Sequence, residues 1–239
     1  MSSSSENRAA TIGDRPAGTE RAGFSIMFRI AAGLSLFIVA AFAIASIVQP
    51  IRLERFGKHE VILHIVLTMG WLGFFLLQSR LISAGSFQRH RGNVTLGAIL
   101  VLTLSIQGVL LVYHWGNAVR FVGETRDVMA FVALFIASIW AARRGMIESH
   151  KRWMLIGTLN LASPAIMRLA VPFEWSPPLT VAAFLVLWSI PAILYDRLMR
   201  RSIHRATIIG VVFSIATFAL VIAIIASPLI EIVERFIGD

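Results

Sequence analysis

Apolar residues in this chain come in long unbroken stretches, without the alternation of strands and without the one-sided stripe of a soluble helix. The stretches cover about 24–48, 60–79, 93–114, 127–144, 152–170, 177–195 and 206–230. A helix needs about 20 apolar residues to cross a hydrocarbon core roughly 30 Å thick, so each reads as one crossing. The pattern predicts an all-α polytopic transmembrane helix bundle of seven spans in a single domain, 24–239. Residues 1–23 are polar and without periodicity, and read as a disordered cytoplasmic tail. Such an arm before the first run marks that run as an uncleaved signal anchor. The 127–144 stretch has the shortest apolar centre and needs the stems of Arg143 and Arg144, which snorkel. Pro164 and Pro191 predict kinks.

Composition supports the pattern. Hydrophobic residues make up 57% of the chain and charged residues 15%, whereas a soluble domain is nearer half and a quarter. The formal net charge of +9 would suit a nucleic-acid partner if the basic residues formed a patch. They sit instead in short loops between apolar runs, which points to lipid head groups and excludes nucleic acid. Counted by topology, fifteen lysines and arginines fall on the amino-terminal side and seven on the other, accounting for all 22. That asymmetry predicts a cytoplasmic amino terminus, an external carboxyl terminus and residence in a bacterial inner membrane. The absence of cysteine excludes disulfides, thiolate metal sites and cysteine nucleophiles.

Six histidines carry the candidate chemistry, because neutral imidazole ligates haem iron, zinc and copper. The topology sorts them into two layers. His90, His150 and His204 open three helices on the cytoplasmic side and form a candidate metal site, with Glu148 or Asp196 as a further partner. His59, His64 and His114 lie toward the opposite face. His64, His114 and Arg168 form a candidate cofactor site, since an ionisable residue within a span reads as functional. Three polar stripes suggest a shared interior: Glu60, His64, Thr68, Trp71 and Gln78; Thr103, Gln107 and His114; Trp153, Gly157, Asn160, Pro164 and Arg168. Thr207, Gly210, Ser214 and Thr217 form a small-residue stripe that reads as close packing. The openings His90-Arg91, His150-Lys151 and His204-Arg205, each followed by glycine, suggest three repeated helical hairpins behind the first helix. Phosphate-binding glycine loops and hydrolase motifs are absent, as is the in-span lysine that retinal requires.

The segments HRGN at His90–Asn93, HKRWM at His150–Met154 followed by Arg168, and YDRLMRRSIH at Tyr195–His204 resemble the signatures of bacterial multi-spanning membrane proteins of unknown function. Glycine directly after Arg91 departs from their His-Arg-x-x-Gly pattern. That resemblance implies a membrane fold with histidines at helix ends. More distantly, His64 and the hairpin through His90 are similar to di-haem membrane cytochromes b. Those use paired histidines on four helices, and the 127–144 stretch has none. Three functions follow as expectations: a membrane electron-transfer protein working with haem b or a quinone, an intramembrane hydrolase using a divalent metal, or a transporter or accessory subunit with a small-molecule or membrane-protein partner.

Overall fold

The computed structural model describes residues 17–48, 58–115 and 117–238, with side chains for 25–48, 58–114 and 117–238. Of the predicted tail, residues 1–16 lie outside the described residues. Residues 17–23 are helical, because the first helix begins seven positions before the apolar run.

The described residues form helices only: α1 (Ala17–Val48), α2 (His59–Ser83), α3 (Phe87–Gly92), α4 (Val94–Trp115), α5 (Ala118–Arg143), α6 (Ile147–Leu161), α7 (Ser163–Ala170), α8 (Pro177–Arg200), α9 (Arg205–Ile225) and α10 (Leu229–Gly238). Six stretches are long and apolar enough to cross a membrane: Ser25–Val48, His59–Ser83, Val94–His114, Ala118–Arg143, Pro177–Arg200 and Arg205–Ile225. Their outward positions carry large apolar side chains, with Leu36, Leu102 and Val66 at 70%, 62% and 60% exposure. Water would not tolerate so broad an apolar surface. The chain is a multi-pass helical membrane protein.

The remaining stretch, 152–170, divides into α6 and α7 at Ala162, just before Pro164. Proline has no amide hydrogen and its ring crowds the preceding turn. This pair is the least apolar segment because protein surrounds it. Arg152, Leu155, Ile156, Gly157, Thr158, Leu159 and Asn160 are all buried, and α6 packs on α5, α8 and α9.

The α2–α3 and α5–α6 turns are built alike. Gly85 and Gly145 take left-handed φ values of 74° and 73°, a conformation open to glycine at little cost. Ser86 N donates to Leu81 O, and Met146 N donates to Ala141 O, so each helix closes in a Schellman motif. His90 and His150 each follow their glycine by five residues. The expected repeat therefore holds for two hairpins. In the third, the left-handed residue is Arg201 and the histidine follows by three. These turns mark one end of the bundle, the His150 face; the α4–α5 turn marks the other, the His114 face.

Two boundaries differ from expectation. Helix α5 begins at Ala118 and not near 127, bringing Arg120, Glu124, Arg126 and Asp127 into the helix. Helix α9 ends at Ile225, and Pro228 separates it from the amphipathic α10. Phe236 of α10 rests 5.9 Å from Tyr113 and 6.4 Å from Phe121, ring centre to ring centre. Such aromatics suit an interface.

Candidate functional site

Polar side chains gather at three depths. At the His150 face the two repeated turns bring His90 and His150 together, ring centres 6.1 Å apart and planes at 73°. His150 Nδ1 donates to Ser138 O at 3.0 Å, which leaves the Nε2 lone pair open. His90 Nδ1 is enclosed without a hydrogen-bond partner. Burial, with the neighbouring His150 and Arg91, pushes His90 down to about 4, so it is neutral at physiological pH. His204 does not join them. Its Nδ1 accepts from Ala206 N at 3.0 Å as an N-cap, and its own N–H donates to Asp196 Oδ2 at 2.7 Å.

Beside this pair, Arg152 and Asp196 form a fully buried ion pair joining α6 to α8. Arg152 Nε donates to Asp196 Oδ1 at 2.6 Å, and Nη1 donates to Glu148 at 2.7 Å. Its guanidinium lies over the Tyr195 ring at 5.2 Å. Burial opposes the Glu148 carboxylate, yet Arg152 and Lys151 outweigh it and hold the group at about 2.

Deeper in, Arg126 and Asp127 lie about 12–13 Å from the start of α5, at 1.5 Å per residue. Arg126 Nη1 donates to Asp127 Oδ1 at 2.6 Å, Nε donates to Thr217 Oγ1 at 3.0 Å, and Nη2 donates to Ser214 O. The guanidinium stacks 4.4 Å from the Trp188 ring centre. Asn160 Nδ2 donates to Ser214 Oγ at 2.8 Å, and Trp188 Nε1 donates to Ser163 Oγ at 3.0 Å. Five helices meet here through polar groups. The stripe Thr207, Gly210, Ser214 and Thr217 packs as expected, and its last two members also receive Arg126.

Toward the His114 face, His64 Nδ1 lies 2.7 Å from Gln107 Oε1, and Gln107 Nε2 donates to Glu60 O at 2.6 Å. The hydrogen bond of His64 is to Gln107 on α4. Arg168 lies over Phe42 at 5.4 Å. His114 turns back onto its own helix, donating from Nδ1 to Leu110 O at 2.9 Å. A groove of about 200 Å³ opens here between Glu60, Leu63, Gln107, Leu110, Leu111 and His114.

Comparison with protein-family models, with curated proteins and with solved structures finds no match. Function therefore rests on the side chains.

Among the described residues no three His, Cys, Asp or Glu side chains converge as metal ligands; the expected trio is a pair plus a cap. The groove beside His114 is smaller than the roughly 300 Å³ at which drug-sized pockets begin. A porphyrin does not fit there between His64 and His114, although a single-ring head group matches its size. The His90–His150 pair fits a metal differently. With roughly 2 Å from metal to each nitrogen and about 1 Å more to each ring centre, two imidazoles sharing one metal ion would have ring centres up to about 6 Å apart. The bond from His150 to Ser138 O is the outer-shell contact that orients a ligating imidazole.

Of the three predicted stripes, Trp71, Gln78, Gln107 and Asn160 face the interior, while Thr103, Glu60 and His114 are exposed. Sequence reasoning missed Arg126, Asp127, Arg152, Ser163 and Trp188 as site residues. The available signals were the Arg-Asp step just before the apolar run from Val128 and the two Gly-x-x-x-x-His turns at 85–90 and 145–150.

Proposed function

We propose that this chain is a haem-linked membrane electron-transfer protein in which His90 and His150 would hold one haem b. The observation that carries the reading is two half-buried imidazoles with ring centres 6.1 Å apart, without a third protein ligand among the described residues. A bare divalent ion would be left under-coordinated by two donors, which weighs against the hydrolase reading. A porphyrin brings four donors of its own. When bound, the haem would supply a reversible one-electron iron couple.

The chain's own residues do the positioning. Ser138 O holds the Nδ1 proton of His150 and keeps its Nε2 free to ligate. The Arg152–Asp196 pair, which begins two residues along α6 from His150, fixes α6 against α8. Arg89 and Arg91 on α3, with Arg143 and Arg144 at the end of α5, lie nearby in the chain and would offer cations to carboxylates of a bound group. The distant similarity to membrane cytochromes b supports the same reading. A quinone head group in the groove at the His114 face would sit about 20–30 Å along α4 from its start beside α3, at 1.5 Å per residue. It would need a different redox partner.

In this reading α6 and α7 together carry residues 152–170 across as a seventh span. The amino terminus lies in the cytoplasm and the carboxyl terminus outside, in a bacterial inner membrane. The test is the reduced-minus-oxidised absorption spectrum of protein purified from haem-supplemented cells. We expect a Soret and α band that disappears in His150→Ala and in His90→Ala but survives in His114→Ala. A pure protein without these bands, or bands indifferent to both changes, sinks the proposal.

A further inference from the structure

We propose that Gln78 is the positioning residue of His90: its side-chain amide oxygen accepts the Nδ1 proton of His90 and so keeps Nε2 free for a metal. The purpose of this bond rests on the haem reading. The bond itself is placed by an internal repeat.

The two glycine turns belong to a longer repeat. Gly85 and Gly145, His90 and His150, and Gly97 and Gly157 each stand sixty residues apart. The backbone keeps the same register, with His90 N donating to Ser86 O and His150 N to Met146 O. So does the packing, since Gly97 lies against the Phe74 ring and Gly157 against Leu134, again sixty apart. Matching residues also touch each other across the bundle. Trp71 meets Phe131 at 4.9 Å between ring centres, and His90 meets His150 at 6.1 Å. Matching positions meet where the axis relating two copies passes between them. The hairpins α2–α4 and α5–α6 are thus related by a local twofold axis along the helices, the arrangement of parallel membrane repeats. The histidine pair lies on that axis.

In the second copy His150 follows Ser138 by twelve residues, across the turn, and its Nδ1 donates to Ser138 O at 3.0 Å. Twelve residues before His90, across the matching turn, stands Gln78. Here the corresponding bond is missing, and His90 Nδ1 has no partner. Gln78 is only 9% exposed, and its Oε1 and Nε2 are both enclosed without a partner. Ser138 has a short side chain that turns back to Phe135 O at 2.8 Å and leaves its carbonyl to the imidazole. Gln78 puts an amide on a longer, flexible stem at that position. Two polar groups at matched positions are each left unanswered inside one hairpin, a state that burial disfavours. One hydrogen bond between them answers the imidazole and half of the amide.

Ligation sets the direction of the bond. A neutral imidazole has one N–H and one lone pair. Giving the Nε2 lone pair to a metal puts the proton on Nδ1, where the amide oxygen accepts it. The reverse bond, from Gln78 Nε2 to the Nδ1 lone pair, would place the proton on Nε2 and block ligation. An outer acceptor of this kind orients the ring and makes it a stronger donor.

Solid-state NMR of the full chain in liposomes, without added haem, tests the bond. The protein carries nitrogen-15 at histidine and carbon-13 at the glutamine side-chain carbonyl, and the His90 signals are those missing from His90→Asn. We expect His90 Nδ1 to be protonated and coupled to a glutamine carbonyl, as His64 is to Gln107. In Gln78→Met that coupling should be lost and the proton should move to Nε2. His150 should keep its Nδ1 proton in both proteins, because its acceptor is a backbone carbonyl. With haem supplied, Gln78→Met should lower haem affinity by about tenfold or more and raise the midpoint potential, since a weaker donor favours ferrous iron. No coupling of His90 Nδ1 to a glutamine carbonyl in the unaltered protein overturns the proposal, as does a tautomer indifferent to Gln78→Met; the first result needs no variant to fold. Missing haem bands, with a tautomer that follows Gln78, sink the haem reading alone and leave the bond standing.

Discussion

The histidines were conspicuous in the sequence because few other side chains ligate metals, and His90 with His150 do meet. The arginines were not, because an arginine near a span boundary looks the same whether it meets head groups or a buried carboxylate. Arg152 is the clearest case. It looks like one more loop cation, yet it is fully buried against Asp196. Breaking such a pair from one side strands the other charge and costs about 3–5 kcal/mol. Arg152→Met alone should therefore lower thermal stability strongly, as should Asp196→Leu alone. Combined, they should recover most of the loss. About 1 kcal/mol should remain, because Asp196 Oδ2 also accepts the His204 N–H. Thermal inactivation of the four proteins in one detergent checks this, and a double variant no better than either single one contradicts it.

Helix order and number were largely legible, since apolar run length reports membrane thickness directly. The ends of α5 and α9 were not. Arg120, Glu124, Arg126 and Asp127 break the apolar run before 128, but their charges are answered inside the helix or across it, so the helix continues through them. The break at Ala162 was foreshadowed by Pro164. The polar centre that gathers around the break was not, because its members are scattered over α5 to α9. Close packing beside it rests on one glycine. A Cβ added at Gly210 would stand 2.7 Å from Ile156 Cδ1, and Ile156 is itself fully buried. A Cβ at Gly73 would meet nothing within 4 Å. Gly210→Ala should destabilise by about 1–3 kcal/mol through overpacking. Gly73→Ala should be neutral or gain up to about 1 kcal/mol of helix propensity. Equal effects in the two variants would mean that α6 and α9 do not approach this closely.

At the scale of the molecule, the arrangement turns on whether 152–170 crosses the membrane. If it does, the turn at Arg144 and the segment at Ser176 lie on opposite sides; if it does not, they share one. The lack of native cysteine makes the question clean, because any thiol is one that was introduced. A membrane-impermeant maleimide applied to intact cells should label Asn117→Cys and Ser176→Cys, and should leave Ser86→Cys and Arg144→Cys unlabelled until the cells are opened. The lysine and arginine asymmetry supplies the direction of that expectation, and the odd number of crossings supplies the separation. The result also bears on the histidine pair. With this topology the histidine pair faces the cytoplasm, where a soluble electron donor would find it. Labelling of Arg144→Cys and Ser176→Cys from the same side would put α6 and α7 in a re-entrant fold. Ser163 and Asn160 would then lie at its tip.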